Sequence, residues 1–379
     1  MKILIVGAGA SGIVAAINYK RNHKDDEVLV IDQMQAPLKK LLASGNGKCN
    51  LGNSNIDFSL YNNPSFAKTI IEGYDYKKFF SSISIETKTF GDLAYPVSES
   101  AISVKDALLN SAKSLGISVK NEEKLIDFSV KNEIEVATNK QKYVVDKLYL
   151  AGGLKSTPKL GSDGSVLDIL SKHGYIIASP EPGLCPIFTK EKTKLIDGVR
   201  VKSVVSLLKN GKLIHKEAGE VLFKERGLSG IVIFNTASII SRDPKSAYKI
   251  SLDLLPDFSE EYLNNYRNSH KFSDLLLAFF NPKLSKYLTD RFHNDDAIFS
   301  SIKNLQFTFD KTYGFDFSQV SVGGVDINEV DNNLMSKREK NVYIIGELLN
   351  IDGPCGGYNL TWAFASAIKS TNWFCWFIV

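Results

Sequence analysis

The chain has 379 residues, room for two or three domains of ordinary size. It is 44% hydrophobic and 23% charged, and its net charge of +4, from 46 basic and 42 acidic residues, is too small and too interspersed to argue for a nucleic-acid partner. Its four cysteines (Cys49, Cys185, Cys355, Cys375) stand far apart, with no CxxC and no Cys/His cluster at metal-ligand spacing, which speaks against zinc and disulfides and fits a reducing cytoplasm.

The first residues, MKILIVGAGASG, are too short an apolar run for a signal peptide and meet glycine at once, so Lys2–Val6 reads as a buried strand. Ser11 to about His23 reads as a helix and Val28–Ile31 as a second strand ending at Asp32, a β-α-β unit. Ser100–Leu115 has helical periodicity, with Gly116 as its stop. Strands follow near 124–130 and 133–137, then KYVVDKLYLAGG reads as one more strand running into a glycine turn, and Ser165–His173 as a helix closed by Gly174. After about Pro186 the chain becomes strand-rich, with Asn210-Gly211 as a type I′ hairpin signal. From Ser259 to about Asn304 the pattern is helical and polar. SVGGV and NVYIIGELL return to short strands, and GGYNLTWAFASAIKS reads as a last helix beginning near Gly357. The apolar terminus WFCWFIV is too short to span a bilayer, which takes roughly 18 apolar residues, and reads as a buried strand or an oligomer contact, with a membrane-surface anchor as the alternative.

This order predicts an α/β protein: a two-dinucleotide-binding, Rossmann-like domain built from 1–186 and 319–379. Between its halves lies an insert at 187–318, β-rich over 187–257 and helical over 258–318.

GAGASG places Gly7, Gly9 and Gly12 between strand and helix. The first glycine permits the tight turn, the second lets backbone approach a pyrophosphate, and the third lets helix and strand pack closely. The helix N-terminus offers unpaired N–H groups to the phosphates. Asp32, twenty residues beyond Gly12, stands where an acid binds a ribose 2′-hydroxyl and disfavours a 2′-phosphate. The C-terminal segment separates FAD from NAD. NVYIIGELLNIDGPCGGYNL is a strand, Gly346-Glu347, a loop, then Gly356 and Gly357 opening a helix. A helix N-terminus stabilises the negative charge of reduced flavin by up to about 2 kcal/mol. None of the five histidines lies in such a motif, and no catalytic acid or base is identified.

Over nearly its whole length the sequence resembles the bacterial BaiN/YhiN-type, aminoacetone-oxidase-like flavoproteins. KKLLASGNGKCNLGN, AGGLKSTPKLGSDGS, GLSGI and GGV…GELLNIDGPCGGYNLTWA match that family's motifs. The resemblance implies non-covalent FAD and oxidoreductase activity, with NADH or NADPH as possible electron donor, a small-molecule substrate, no nucleic-acid or membrane partner, and no metal. It leaves the oligomeric state open. It also implies a cofactor site of Gly7, Gly9, Ala10, Ser11, Gly12 and Asp32, with the loop residues Ser44, Gly45, Gly47, Lys48, Cys49 and Asn50. Leu125, Ala151, Gly152, Gly153, Gly346, Glu347, Asp352, Gly356, Gly357, Tyr358 and Asn359 complete it.

Four positions depart from the family pattern: Lys48 and Asp92 stand where Arg is usual, Asn46 where Gly is, and Ile231 where Pro is. Lys48 offers a point charge rather than a planar fork. For Cys49 three roles stay open: a small packed residue, a thiol tuning flavin or substrate, and a redox partner of Cys355. Two other classes of function remain beside the oxidoreductase, a flavin-dependent nucleic-acid modifier and a NAD-binding regulatory module without redox chemistry.

Overall fold

The structure is a computed structural model and describes residues 1–371. The expectation for WFCWFIV falls outside the described residues. The chain forms two compact units, one of Met1–Glu181 with the chain from Val320 on, the other of Pro182–Gln319.

The first unit is built on a five-stranded parallel sheet. Strand β1 (Lys2–Val6) lies at its centre, helix α1 (Ala10–Asn22) follows, and strand β2 (Glu27–Ile31) pairs with β1. Lys147–Leu150 pairs on the other side of β1, with Val342–Ile344 beyond it and Ser118–Lys120 beyond β2, all parallel. Both faces of such a sheet are covered, which is why KILIV and KLYL are apolar almost without alternation; Leu4, Ile5, Leu148 and Leu150 are fully buried. The last helix, Tyr358–Ser370, packs beside α1, and Asn18 on α1 donates to Thr371 just past its end at 2.6 Å.

Two small antiparallel sheets decorate this unit. One joins Leu125–Val130, Ile134–Thr138 and Lys142–Val145. The other joins Gly52–Asn53, Leu93–Pro96 and Thr87–Phe90. KYVVDKLYL is therefore two strands in two different sheets, not one. The chain changes sheet at Asp146, whose carboxylate accepts the Lys2 N–H at 2.6 Å.

The second unit is a closed barrel of six strands: Ile187–Thr189, Arg200–Lys209, Lys212–Lys224, Gly227–Ser229, Tyr248–Asp253 and Leu305–Thr312. Asn210 and Gly211 both have positive φ, 51° and 82°, the type I′ geometry that suits the right-handed twist of the flanking strands. Four helices, Glu260–Ser269, Phe272–Phe279, Pro282–Phe292 and Asp295–Lys303, lie in sequence between the last two barrel strands. Ser259, Asn281 and Asn294 cap three of them by accepting backbone N–H bonds. The helical span expected over 258–318 thus stops at Lys303. In Leu305–Thr312 the buried Leu305 and Phe307 alternate with half-buried Gln306 and Thr308, and the strand closes the barrel against Ile187–Thr189 and Tyr248–Asp253.

Candidate functional site: a dinucleotide cradle and its flavin-side loops

The three glycines after β1 differ in what a side chain would meet. A Cβ on Gly7, at φ 103°, would lie 2.5 Å from the Ala151 carbonyl oxygen, and one on Gly12 would lie 1.8 Å from the Gly7 carbonyl oxygen. Both are fixed by backbone packing. A Cβ on Gly9 would meet nothing within 4 Å, and Gly9 sits at φ −81°, where any residue is comfortable. Neither a clash nor backbone strain demands glycine at position 9, and its absent side chain leaves room for a ligand to approach the backbone. Gly9 is also the N-cap of α1, and no side-chain hydrogen bond caps the helix, which leaves its positive N-terminal end suited to an anion.

Asp32, just past β2, ties the turn together. One carboxylate oxygen accepts the Ala8 N–H and the other the Met34 N–H, each at 2.7 Å. Burial raises its pKa, while the Met34 and Ala8 bonds and the charge of Lys39 pull the other way. Ala151, Gly152 and Gly153 follow the neighbouring strand; the first two lie against Gly7, and Gly153 lies beside Ser162 and Glu347. Leu125 is a core residue paired with Thr138, only 3% exposed; it nears the site only through Glu123, whose N–H donates to the Asp32 carbonyl.

The second strand–Gly–acid element meets the first directly. A Cβ on Gly346, at φ 66°, would strike Ser11 Oγ at 2.5 Å. The Gly346 N–H donates to Ser366 Oγ, and Trp362 Nε1 donates to the Gly346 carbonyl, so the last helix holds this turn. Glu347 is held at both oxygens. Oε2 pairs with Lys40 Nζ at 2.6 Å, and Oε1 accepts Ser156 Oγ at 2.7 Å and the Ser321 N–H at 2.9 Å. Lys40 lies on helix α2 (Lys39–Ala43). Lys40 and Ser156 stand inside the matched motifs but were not among the expected site residues, and Ser321 lies in SVGGV. A partner 307 positions away leaves no trace in sequence spacing.

The glycine-rich loop after α2 folds onto the start of the last helix. Gly45 and Asn46 take left-handed conformations, φ 56° and 54°; Asn is among the side chains that tolerate this best. The Asn50 amide, oriented to satisfy its neighbours, donates to the Gly52 and Ala94 carbonyls and accepts the Gly357 N–H at 3.2 Å. A Cβ on Gly357 would lie 2.3 Å from the Gly52 carbonyl, and Asn53 donates to the Gly356 carbonyl at 3.0 Å. A Cβ on Gly47 would meet open space, and Ser44 turns its hydroxyl to the Leu41 carbonyl. Cys49 is fully buried with φ 59° and forms no disulfide, and burial pushes its thiol up to about 12. Such a thiol is inert, so packing is the role its surroundings support.

Other expected contacts are occupied by the protein itself. Lys48 is exposed and pairs with Glu99 at 2.8 Å; the hydrogen bonds from Lys48 and Lys88 hold the Glu99 carboxyl down at about 2. Tyr358 packs edge-on against Tyr61 at 5.3 Å, and its hydroxyl accepts the Asp57 N–H. Asn359 pins the preceding loop by bonding both the N–H and the carbonyl of Gly353. Asp352 is 4% exposed, its backbone bonded to Asn62 in both directions. Ile231, 62% exposed, opens the helix Ile231–Ser241, a position where proline fits equally well. Among the described residues, no group of three or more His, Cys, Asp or Glu could hold a metal ion.

A glycine turn open to a diphosphate, an acid at the end of β2, and a second Gly–acid turn against the same helix start suit FAD. Fold and site together define an FAD-dependent oxidoreductase on a Rossmann-type sheet. The chain belongs to the HI0933-like protein Rossmann domain family, whose model matches residues 1–372. It is 30% identical to a protein of Clostridium scindens named 3-dehydro-bile acid delta(4,6)-reductase, over 96% of this chain and 97% of that one. It is 28% identical to a protein of Escherichia coli named ribosomal RNA dihydrouridine synthase, over 96% and 95%. Among solved structures, a 3-ketosteroid delta1-dehydrogenase from Sterolibacterium denitrificans superposes with a TM-score of 0.50 at 10% identity, covering 98% of each chain, a likeness of fold. Among the described residues no helix is long and apolar enough to cross a membrane.

Proposed function

We propose that this protein is a reductase that holds FAD non-covalently in the cradle at Gly9 and Glu347 and uses it to reduce a small organic molecule, with NADH or NADPH as the donor. The observation that carries the reading is the open space in front of Gly9, where an added Cβ would meet no protein atom within 4 Å. Bound FAD would supply two-electron chemistry; the chain's residues bind it, orient it and keep water out. The start of α1, without a side-chain cap, would take the diphosphate, Asp32 the adenosine ribose, and Glu347 the ribityl side. The start of the last helix, capped only through Gly357, would offer its positive end to the flavin ring. Reduction of a small molecule is favoured by the name of the Clostridium scindens relative, a reductase matching end to end. The test is anaerobic mixing of the purified protein with NADH and with NADPH, followed by loss of the oxidised flavin absorbance. Reduction by either supports the reading, and failure with both removes the donor assignment.

A second reading, a flavin-dependent RNA modifier, is favoured by the name of the Escherichia coli relative and by one group in the second unit. Phe188 and Tyr313 stack at 4.0 Å with Arg226 and Lys311 over Phe188, and Phe317 stands 60% exposed beside Tyr313. Aromatic faces flanked by cations suit unpaired bases. Salt-dependent binding of single-stranded RNA, lost in Phe317→Ala, would favour it over the first.

A further inference from the structure

The start of α2 sets a lysine beside the second acid of the candidate site. α2 begins against the glycine turn: Leu38, at φ 61°, reverses the chain and donates its N–H to the Ala8 carbonyl at 2.9 Å. Lys40 then reaches Glu347 at 2.6 Å and Ser156 Oγ at 2.5 Å, and remains 29% exposed beside a carboxylate that is 21% exposed. Gly153, at φ 68°, lies beside this carboxylate: a Cβ there would be 3.5 Å from Glu347 Oε2.

On the FAD reading, Asp32, Glu347 and a diphosphate would bring a charge of about −4 into one partly buried site, against roughly half a positive charge from the start of α1. Uncompensated charge in such a place is strongly unfavourable. We propose that Lys40 supplies the compensating charge of the cofactor site, a positioning residue that holds the Glu347 carboxylate toward bound FAD. This inference rests on the FAD reading and adds to it the charge that admits a dianion between two acids.

The experiment is a fluorescence titration of the flavin-stripped protein with FAD, at low and at high salt, for the wild type, Lys40→Met, Lys40→Gln and Lys40→Arg. Lys40→Met should raise the FAD Kd by about ten- to a hundredfold, the worth of one lost charge-assisted contact. Lys40→Gln keeps a hydrogen-bond donor without the charge and should lose as much, which carries the test if the Met variant does not fold. Lys40→Arg should return to within a few-fold of wild type, a rescue that mere packing would not produce. The wild-type affinity should fall with added salt more than that of Lys40→Met. A Kd within about threefold of wild type for both neutral variants, with unchanged salt dependence, would overturn the proposal and leave the FAD reading standing. A wild type that takes up no FAD would remove both.

Discussion

Replacing Gly9 by valine separates folding from cofactor binding more cleanly than any other single change in the glycine turn. The Cβ would meet no protein atom within 4 Å, and φ −81°, ψ −169° is open to valine, so neither clash nor strain opposes it. The folding cost is the poorer N-cap, about 1 kcal/mol at most. The cost to the cofactor is larger: a branched side chain would stand in the space the diphosphate needs and remove it from the N–H groups of α1. Charge-assisted hydrogen bonds contribute about 1.5–3 kcal/mol each, so losing two weakens FAD by roughly two to four decades. The assay is the flavin-to-protein absorbance ratio of the purified variant, with a thermal melt of wild type and variant both stripped of flavin. The expected result is a colourless protein with a nearly unchanged melt. Gly12→Ala is the contrast, because its methyl would lie 1.8 Å from the Gly7 carbonyl oxygen and should prevent folding. A Gly9→Val protein with a full complement of FAD would refute the reasoning.

Asp32→Ala should lower FAD affinity by about one to two decades, from lost charge-assisted bonds of roughly 1.5–3 kcal/mol and from freeing the Ala8 and Met34 N–H groups; equilibrium dialysis measures it. Cys49→Ser should keep FAD and be reduced within a few-fold of the wild-type rate, at a stability cost of about 1–3 kcal/mol for burying a hydroxyl. A loss of more than about a hundredfold in reduction with FAD bound, at least about 2.7 kcal/mol of barrier, would make the thiol part of the chemistry. His173 bridges Asp127 and Glu339 with its two ring nitrogens; burial opposes its protonation, but the two carboxylates outweigh it and raise its pKa above the ordinary 6.5. A raised folded value gives stability that is full below 6.5 and lost as pH climbs through the folded value, so wild type should lose its advantage over His173→Gln as pH rises above 6.5. Parallel pH–melt curves for the two would contradict that assignment.

The features legible in the sequence were those whose cause is local. The strand–GxGxxG–helix unit, the Asn210-Gly211 turn, the helix Ala101–Ser114 with its stop near Gly116 and the last helix after Gly357 are all set by residues within a few positions of one another. Features that needed long-range closure were not legible. An apolar run cannot reveal that a chain changes sheets, so Lys142–Val145 and Lys147–Leu150 read as one strand. Leu305–Thr312 completes a barrel whose other strands precede four helices, and its alternation alone did not tell it from the end of a helical segment. At the candidate site, Lys48 looked poised for a phosphate, yet Glu99, fifty-one positions on, takes its charge. Lys40, one residue of an already matched motif, acquires its meaning only when Glu347 arrives from the far end of the chain.

The most direct test of the central claim is to denature the freshly purified protein and chromatograph what it releases. The account predicts FAD, released without covalent remnant, at close to one per chain in the wild type and absent from Gly9→Val. Release of FMN alone, or of NAD with no flavin, would contradict it.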